Sequence, residues 1–166
     1  GPSSSVMSQL GSKLEAKVLA KKLKIPVIED SPGLASIEQA QSYAEKIGYP
    51  VIIKASAGGG GRGMRVVHSN SSLSKDFEDA KNEALRAFGD ATVFFEKFIA
   101  KPKHIEVQIL GDKHKNVVHL FERDCSVQRR FQKVVEIAPS PNLSESVRKK
   151  ILDYATKLAR YVNYDN

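Results

Sequence analysis

The chain has 166 residues and a formal net charge of +7, with 41% hydrophobic and 27% charged residues. This length fits one average domain or two small subdomains, and the composition excludes a disordered chain. No apolar run is long enough to span a membrane, the start lacks a signal-peptide pattern, and the single cysteine, Cys125, cannot form an intrachain disulfide. The positive charge indicates either a solvated basic face or an anionic partner such as nucleic acid or a nucleotide.

The first predicted elements are a helix and a strand. Ser12, followed three residues later by Glu15, forms a capping box and opens a short helix with Leu14 and Val18 on its buried side. Residues 25–29, with the sequence IPVIE, predict a strand.

The next segment predicts alternating helices and strands. Ser36 caps a helix that ends at Gly48, and another helix covers roughly residues 72–88 before Gly89. Strands are predicted for YPVIIKAS, MRVVHS and TVFFEKF. Residues 25–98 therefore predict the order β-α-β-loop-β-α-β, an α+β unit with a small core of its own.

The remaining residues predict a hairpin, a further strand and a helix. The segments HIEVQIL and VVHLFER flank GDKHKN, which is a hairpin signal, and QKVVEIA predicts another strand. The last helix is predicted from about Ser144 to Tyr161, with Val147, Ile151, Leu158 and Val162 near its buried face.

The stretch KASAGGGGRGMRVV, residues 54–67, places four consecutive glycines between two predicted strands. It contains a G-x-G-x-x-G pattern, but a strand follows it instead of the helix of a dinucleotide-binding fold, and Met64 stands where a P-loop has lysine. Glycine lacks a Cβ, so its backbone N–H groups can approach a phosphate closely, and protein kinases cover ATP phosphates with such a hairpin. The stretch predicts a phosphate-binding flap preceded by Lys54, with a plain flexible hairpin as the alternative.

Polar residues of the second half do not indicate zinc or thiol chemistry. His104 and Glu106 share one face of a predicted strand, which is either solvated or a site wall. The four histidines and the cysteine lack zinc-ligand spacing. Phe131 stands where a cysteine phosphatase needs arginine, so Cys125 is expected to be a buried, inert thiol. The basic segment QRRFQK, residues 128–133, is either a surface patch or an anion site.

Four segments, KASAGGGGRGMRVV, FFEKFI, KHIEVQILGD and ERDCSVQRRFQKVVEIAP, follow one another as in biotin carboxylases of the ATP-grasp superfamily. The chain resembles this family over nearly its whole length and is most similar to the biotin carboxylase part of pyruvate carboxylases and acyl-CoA carboxylases. The resemblance implies an ATP-dependent carbon–nitrogen ligase. Such a ligase activates bicarbonate with MgATP, giving carboxyphosphate, and then carboxylates biotin on a carrier domain.

The resemblance also implies an α+β organisation in three parts. Residues 1–25 are expected to be a linker and helix from a missing N-terminal domain. Residues 26–98 are expected to form the ATP-grasp lid, a small antiparallel sheet with helices and the glycine-rich loop. Residues 99–166 are expected to be the truncated start of the ATP-grasp core. The chain is thus expected to be a fragment, inactive alone, because the family's magnesium-binding carboxylates and catalytic arginine lie further along.

Several site residues are implied around the phosphates of ATP. Lys13 and Lys54 match the family's two ATP-phosphate lysines. The glycine-rich loop is matched by Gly58, Gly59, Gly60, Gly61, Arg62, Gly63 and Met64. These roles suit the chemistry, because lysines neutralise phosphates and exposed backbone amides donate to them.

Further residues are implied at the adenine and at the bicarbonate. Glu96, Lys97 and Ile99 match the stretch that holds adenine, with Glu96 accepting from the amino group. His104 and Gln128 match other nucleotide-site positions. Lys133 matches a lysine beside bicarbonate and is the candidate catalytic residue. No metal ligand is expected within the chain.

The sequence departs from the family pattern at three positions. Phe131 replaces a histidine near ATP, Ser12 replaces a common aspartate, and Lys115 stands where the hairpin often has glycine. A side chain that cannot donate a hydrogen bond at position 131 puts that contact to the nucleotide in doubt.

The implied partners are ATP, Mg²⁺, bicarbonate and biotin on a carrier domain, in a homo-oligomeric parent without nucleic acid or membrane. The parent is expected in the cytoplasm, or in the mitochondrial matrix if the source is eukaryotic. One alternative is another ATP-grasp ligase such as a carbamoyl phosphate synthetase, against which RDCSVQRRFQKVVEIAP argues. Another is a basic nucleic-acid-binding module, whose affinity would fall steeply with salt.

Overall fold

The computed structural model of the protein describes residues 1–57, 59 and 61–165. Within these residues it contains helices α1 (Ser4–Gly11), α2 (Lys13–Lys22), α3 (Ile37–Ile47), α4 (Asn70–Phe88) and α5 (Glu145–Tyr161). The strands are β1 (Val51–Ala55), β2 (Arg65–Val67), β3 (Val93–Lys97), β4 (Ile105–Gly111), β5 (Val117–Arg129) and β6 (Gln132–Ile137). The predicted α+β class is therefore confirmed.

Two compact units make up the chain. The first, here called the glycine-loop unit, consists of Gly11–Lys17 and Pro26–Ala100. The second, here called the hairpin unit, consists of Gly1–Leu10, Val18–Ile25 and the stretch from Lys101 onward. The boundary predicted from the sequence, between residues 98 and 99, stays a prediction.

The glycine-loop unit is built on an antiparallel sheet of strand order β2-β1-β3, against which α4 packs. Alternate residues of the central strand, Val51 and Ile53, are fully buried in one apolar core with Phe77 of α4 and Phe95 of β3. The rings of Phe77 and Phe95 meet edge to face with centroids 6.4 Å apart. The predicted order of helices and strands after residue 36 is confirmed.

Local capping sets the ends of α3 and α4. The Ser36 hydroxyl accepts a hydrogen bond from the Gln39 amide, as predicted, and Gly48 ends α3 with φ of +79°. Gly89 ends α4 in the left-handed conformation, which glycine adopts without a steric penalty. Helix α4 begins at Asn70, two residues earlier than the sequence predicted.

The hairpin unit holds the second antiparallel sheet, of strand order β4-β5-β6, with α5 packed against β4 and β5. The predicted hairpin turn is confirmed: the Asp112 carboxylate accepts from the amides of His114 and Asn116 at 2.8 and 2.9 Å. Lys115, which replaces a common glycine, has φ of +68° there. The turn therefore keeps a conformation that glycine would adopt more easily.

Two predicted details are wrong. Residues 25–29 are not a strand, because Pro26 has no N–H to donate, and the described pairing beside β3 consists of isolated bridges from Asp30 to Glu96 and from Leu34 to Val93. Val18 was predicted on the buried side of α2, but it is 67% exposed. The side of α2 that contacts the rest of the protein carries Lys13 and Lys17, which donate hydrogen bonds to backbone carbonyls.

Two further differences concern the first and last helices. Helix α1 was not predicted, because its sequence SSVMSQLG has little apolar periodicity, although Val6 is buried. On α5, Val147 is exposed, and the buried positions are Leu152 and Ala159. The buried stripe of α5 is thus displaced by about one residue from the predicted face.

Candidate functional site

In the glycine-loop unit, lysines converge on one carboxylate, that of Glu96. Lys54 of β1 and Glu96 of β3 lie on one face of the sheet, because Glu96 is opposite Ile52 and side chains alternate along a strand. Glu96 is nearly buried, and it forms ion pairs with Lys54 and, at 2.7 Å, with Lys17 of α2. The Lys17 ammonium also lies 3.4 Å from Asp30. Two predicted site residues, Lys54 and Glu96, are thus in direct contact.

Lys13 lies at the beginning of the glycine-rich loop. Its ammonium donates to the Ala55 carbonyl at 3.1 Å, and its backbone N–H donates to the Ser56 carbonyl at 3.3 Å. Partial burial, followed by the nearby charge of Lys54, lowers the pKa of Lys13, while Glu96 acts in the opposite direction. A bound anion would favour the charged form of Lys13, since an opposite charge stabilises an ammonium. The site is therefore electrostatically suited to a phosphate.

The glycine-rich loop needs glycine at two of the described positions. Gly61 and Gly63 have φ of +77° and +68°. At Gly63 an added Cβ would also come within 3.2 Å of the Ala55 side chain, which is tighter than ordinary contact. The Met64 amide donates to the Gly61 carbonyl at 3.3 Å, which forms a tight turn. Gly58 and Gly60, two of the predicted phosphate-binding residues, lie outside the described residues.

The other loop and adenine residues are placed as follows. Arg62 is exposed, and Gly59 and Ile99 are exposed as well. The Lys97 ammonium donates to the Gly48 carbonyl at 2.7 Å and to the Tyr49 carbonyl at 3.3 Å, so it holds the end of α3. The adenine roles of Glu96, Lys97 and Ile99 stay predictions, and the side chain of Lys97 is engaged elsewhere.

The hairpin unit has its own charged cluster, centred on Glu106 of β4. His104 lies 2.9 Å from one carboxylate oxygen, which Lys133 of β6 also contacts, and Arg123 of β5 lies 3.3 Å from the other. Burial raises the pKa of Glu106, but the hydrogen bonds from Lys133 and His104 outweigh it, and the net shift is downward. The hydrogen bond to Glu106 raises the pKa of Lys133. Two predicted site residues, His104 and Lys133, therefore share one carboxylate.

A two-residue turn joins β5 to β6 and positions Gln128 beside Lys133. Arg129 pairs with Gln132 across the turn, and Gln128 pairs with Lys133 one step further along the strands. The turn residues Arg130 and Phe131 both have positive φ, at +51° and +63°. The sequence did not predict this turn, because neither residue type signals one. Phe131 is 53% exposed.

Gln128 and Cys125 are in contact within β5. The Gln128 side-chain amide donates to the Cys125 carbonyl at 3.0 Å. Cys125 is fully buried, and burial, followed by the charges of Glu106 and Glu136, raises the pKa of its thiol. The predicted burial of Cys125 is confirmed, and its lack of reactivity stays a prediction that the raised pKa supports.

Sequence reasoning missed three charged residues of these clusters: Lys17, Glu106 and Arg123. Lys17 follows Lys13 by four residues on a helix, so the two side chains share a face, and this spacing was the signal. Glu106 was noted on the same strand face as His104 without a role. Across the described part of the chain, no group of three His, Cys, Asp or Glu residues could hold a metal ion, and no helix there could cross a membrane.

Comparison with known proteins relates the chain to one family. A family model described as "Carbamoyl-phosphate synthase L chain, ATP binding domain" matches residues 12–166. A pyruvate carboxylase of Pichia angusta is 55% identical over 167 aligned positions, which cover 100% of this chain and 14% of the relative.

Among the solved structures that match the whole chain, two are biotin carboxylases with bound nucleotide. One is biotin carboxylase from Campylobacter jejuni in a β-γ-ATP complex, with a TM-score of 0.97, 47% identity and 37% of that chain covered. The other is the biotin carboxylase domain dimer of 2-oxoglutarate carboxylase from Hydrogenobacter thermophilus, in complex with MgADP, ADP and bicarbonate. Its TM-score is 0.96, with 46% identity and 37% coverage. The present chain thus spans 14% of the length of the curated relative and 37% of these solved chains.

Proposed function

The chain belongs to the family of carbamoyl-phosphate synthase L chain ATP-binding domains, and from this premise we propose that it is the ATP-binding part of a biotin carboxylase. The parent enzyme would use MgATP and bicarbonate to carboxylate biotin on a carrier domain, within a pyruvate carboxylase or acyl-CoA carboxylase. The curated relatives favour the pyruvate carboxylase type over the acyl-CoA carboxylase type and over a carbamoyl phosphate synthetase.

The observation that carries this proposal is the position of Lys13 and Lys54 at the start of the glycine-rich loop. Lys54 is held in place by Glu96, and Lys13 is held by the Ala55 carbonyl. Ammonium groups fixed beside a loop of glycines can neutralise phosphate oxygens while backbone N–H groups donate to the same anion. This arrangement suits a substrate with several phosphate oxygens, and a nucleoside triphosphate is such a substrate.

The cluster on Glu106 supports a second anion site. Lys133 and His104 are held by the Glu106 carboxylate on the polar face of the sheet. In the proposed function the Lys133 ammonium holds bicarbonate, and His104 and Gln128 contribute to the nucleotide site. A cation beside bicarbonate stabilises the negative charge that this substrate carries as it attacks a phosphate.

The proposal also covers the Mg²⁺ that accompanies ATP and the division of the chain into a lid and the start of a core. Mg²⁺ would neutralise the β- and γ-phosphates of ATP and needs carboxylate ligands. We propose that these ligands lie beyond residue 166. Residues 26–98 would be the lid over ATP and residues 99–166 the start of the core, in a homo-oligomeric parent in the cytoplasm or the mitochondrial matrix.

The test uses the full-length protein that contains this chain. Bicarbonate-dependent ATP hydrolysis is measured with free biotin for the wild type, Lys54→Ala and Lys75→Ala. Loss of one phosphate contact should raise the KM for ATP about tenfold, which corresponds to about 1.4 kcal/mol. Lys75 is an exposed lysine of α4 in the same unit and serves as the matched control. Hydrolysis independent of bicarbonate, or an unchanged KM for Lys54→Ala, would contradict the proposal.

A further inference from the structure

On one face of the sheet of the glycine-loop unit, helix α2 places Lys17 beside Glu96. Side chains alternate along β3, so Phe94 and Glu96 share this face, and Phe95 points to the opposite one, into the core with α4. The Lys17 ammonium lies 5.7 Å from the centroid of the Phe94 ring. All four residues belong to the same unit.

The Lys17 ammonium is held from several sides. It forms ion pairs with Glu96 at 2.7 Å and with Asp30 at 3.4 Å. It also donates a hydrogen bond to the Ile28 carbonyl at 3.2 Å, and the Phe94 ring attracts it as a cation. The side chains of Asp30 and Glu96 are buried, and that of Lys17 is only 16% exposed. These charges therefore interact more strongly, and are less screened by salt, than a surface ion pair.

The two oxygens of the Glu96 carboxylate contact different lysines. Oε1 contacts Lys17, and Oε2 accepts a hydrogen bond from Lys54, the lysine that precedes the glycine-rich loop. Because each oxygen has its own lysine, the two ammonium groups together set the orientation of the carboxylate. Lys17 is thus connected to Lys54 through one shared group.

The charges of this cluster are balanced. Asp30 and Glu96 supply two negative charges, and Lys17 and Lys54 supply two positive ones. Without Lys17, the buried carboxylates would keep an uncompensated negative charge beside Lys54. A phosphate approaching Lys54 would then be repelled by that charge. Lys17 therefore affects both the position of Lys54 and the electrostatic potential around it.

We propose that Lys17 is a positioning residue for Lys54, acting through Glu96. It touches no substrate; it balances the buried carboxylates and fixes the orientation of the one that holds Lys54, so that the Lys54 ammonium is in place before a phosphate arrives. This inference rests on the proposed function. A group that is already ordered binds its ligand more tightly, because less ordering is required on binding.

A purely structural role for Lys17 leads to a different expectation. Lys17 also joins α2 to residues 26–30 through the Ile28 carbonyl, so its loss would loosen that segment without acting on Lys54. The effect on ATP would then be independent of Lys54. Two substitutions that act through one shared carboxylate are not additive, whereas two independent substitutions are. A double-mutant cycle therefore separates the two roles.

The test compares Lys17→Met, Lys54→Ala and the double variant with the wild type, in the full-length protein that contains this chain. Methionine keeps an unbranched apolar stem and removes the charge. Lys22→Met, at an exposed lysine of the same helix, is the matched control. Steady-state assays give kcat and the KM values for ATP and bicarbonate, and amide exchange of β1 shows that each variant is folded.

In Lys17→Met we expect the KM for ATP to rise about tenfold, equivalent to about 1.4 kcal/mol, while kcat and the KM for bicarbonate stay within about twofold. In the Lys54→Ala background the same substitution should change the KM for ATP by less than about twofold, because the group that Lys17 positions is gone. Lys17→Arg should keep most of the wild-type affinity, since it retains the charge and the donors. Lys22→Met should resemble the wild type.

An unchanged KM for ATP in Lys17→Met would overturn the inference, provided that Lys54→Ala raises it. Equal effects of Lys17→Met in the wild-type and Lys54→Ala backgrounds would overturn it as well, because Lys17 would then act independently of Lys54. If Lys54→Ala itself leaves the KM for ATP unchanged, the proposed function has failed. If Lys17→Met does not fold, Lys17→Gln decides: a smaller rise that disappears in the Lys54→Ala background supports the inference, and a wild-type KM overturns it.

Discussion

The two units have the same kind of sheet, three antiparallel strands, but differ in how completely it is covered. In the glycine-loop unit β1 and β3 are buried at nearly every position, on both faces. In the hairpin unit all six residues of β6 are exposed, including Val134, Val135 and Ile137. Strand topology alone therefore does not determine burial; the layers packed on each face do.

The charged clusters differ in the same way. Glu96 is 6% exposed at the side chain, whereas Glu106 is 26% and its partner Lys133 is 37% exposed. Charges shielded from water interact more strongly and are less screened by salt. The Glu96 cluster is thus shielded from water, and the Glu106 cluster is more solvated. Each of the following predictions tests this contrast.

The largest expected effect is on the stability of the closed core. Phe77→Ala should destabilise the glycine-loop unit by about 3–5 kcal/mol, because it removes a fully buried ring and leaves a cavity. Val134→Ala, at a position that is 62% exposed, should change stability by at most about 0.5 kcal/mol. Amide exchange of β1 and β5, measured in each variant, reports the two units separately. If the two substitutions lowered the free energy of unfolding by the same amount, the two sheets would not differ in how much burial stabilises them.

The second prediction separates the two anion sites by kinetics. In the full-length protein, Lys133→Ala should raise the KM for bicarbonate about three- to tenfold, as expected for a partly exposed charged contact of about 0.7–1.4 kcal/mol. The KM for ATP should stay within about twofold, the reverse of what is expected for Lys54→Ala. Steady-state assays with each substrate varied will test this. A larger effect of Lys133→Ala on ATP than on bicarbonate would assign Lys133 to the nucleotide.

The third prediction concerns acid stability of the hairpin unit. Burial raises the pKa of Glu122, but hydrogen bonds from Arg148 and the Ser140 amide, with the Arg148 charge, outweigh it and the net pKa is lowered. A carboxyl with a lowered folded pKa stabilises the fold above its unfolded pKa. That contribution is lost as the pH falls through the folded value.

The free energy of unfolding of the region around β5 falls as the pH drops below about 4.3, and Glu122→Gln should make this slope shallower. The change in slope should correspond to at most about one bound proton. Amide exchange or unfolding measured from pH 3 to 7 will show the slope. Arg148 remains present in this variant, so Glu145→Gln, at its exposed partner, is the control. A slope that Glu122→Gln leaves unchanged would show that this carboxyl is not shifted in the fold.

The smallest effect is expected at the turn between β5 and β6. Phe131 has φ of +63°, a conformation that costs energy for a phenylalanine and that asparagine tolerates. Phe131→Asn should stabilise the hairpin unit by about 0.5 kcal/mol. Substitutions that restrict the unfolded chain, such as glycine to alanine, stabilise proteins by up to about 1 kcal/mol, and a smaller effect is expected here. Thermal unfolding will measure it. A destabilisation would show that packing of the exposed ring outweighs the backbone strain.

The sequence predicted the helices and strands whose signals are local. Ser36 and Gly48 bound α3 because capping depends on a few neighbouring residues, and the segment around Asp112 folds as the predicted turn. It did not predict the turn at Arg130 and Phe131, since these residues lack turn chemistry and the pairing of neighbouring strands imposes their conformation. Residues 25–29 were wrongly predicted as a strand for the same reason, because strand formation depends on a partner.

The sequence predicted the site residues whose side-chain type and position in a motif indicate their chemistry. Lys54 before the glycines, and Lys133 in a basic segment, could be selected from the sequence and the family resemblance. The ion pairs of these lysines with Glu96 and Glu106 could not be predicted, because pairing between strands distant in sequence brings the carboxylates to them. The ion pair between Glu83 and Arg65, at 2.9 Å, likewise depends on how α4 packs on β2.

The central claim is that the glycine-loop unit binds the phosphates of ATP. The most direct measurement is amide exchange of the full-length protein, with and without saturating ATP, for peptides covering residues 54–67 and 117–127. We expect strong protection by ATP in residues 54–67, which Lys54→Ala reduces and Lys75→Ala does not, and weaker protection in residues 117–127. Equal exchange of residues 54–67 with and without ATP, in a protein that still hydrolyses ATP, would contradict it.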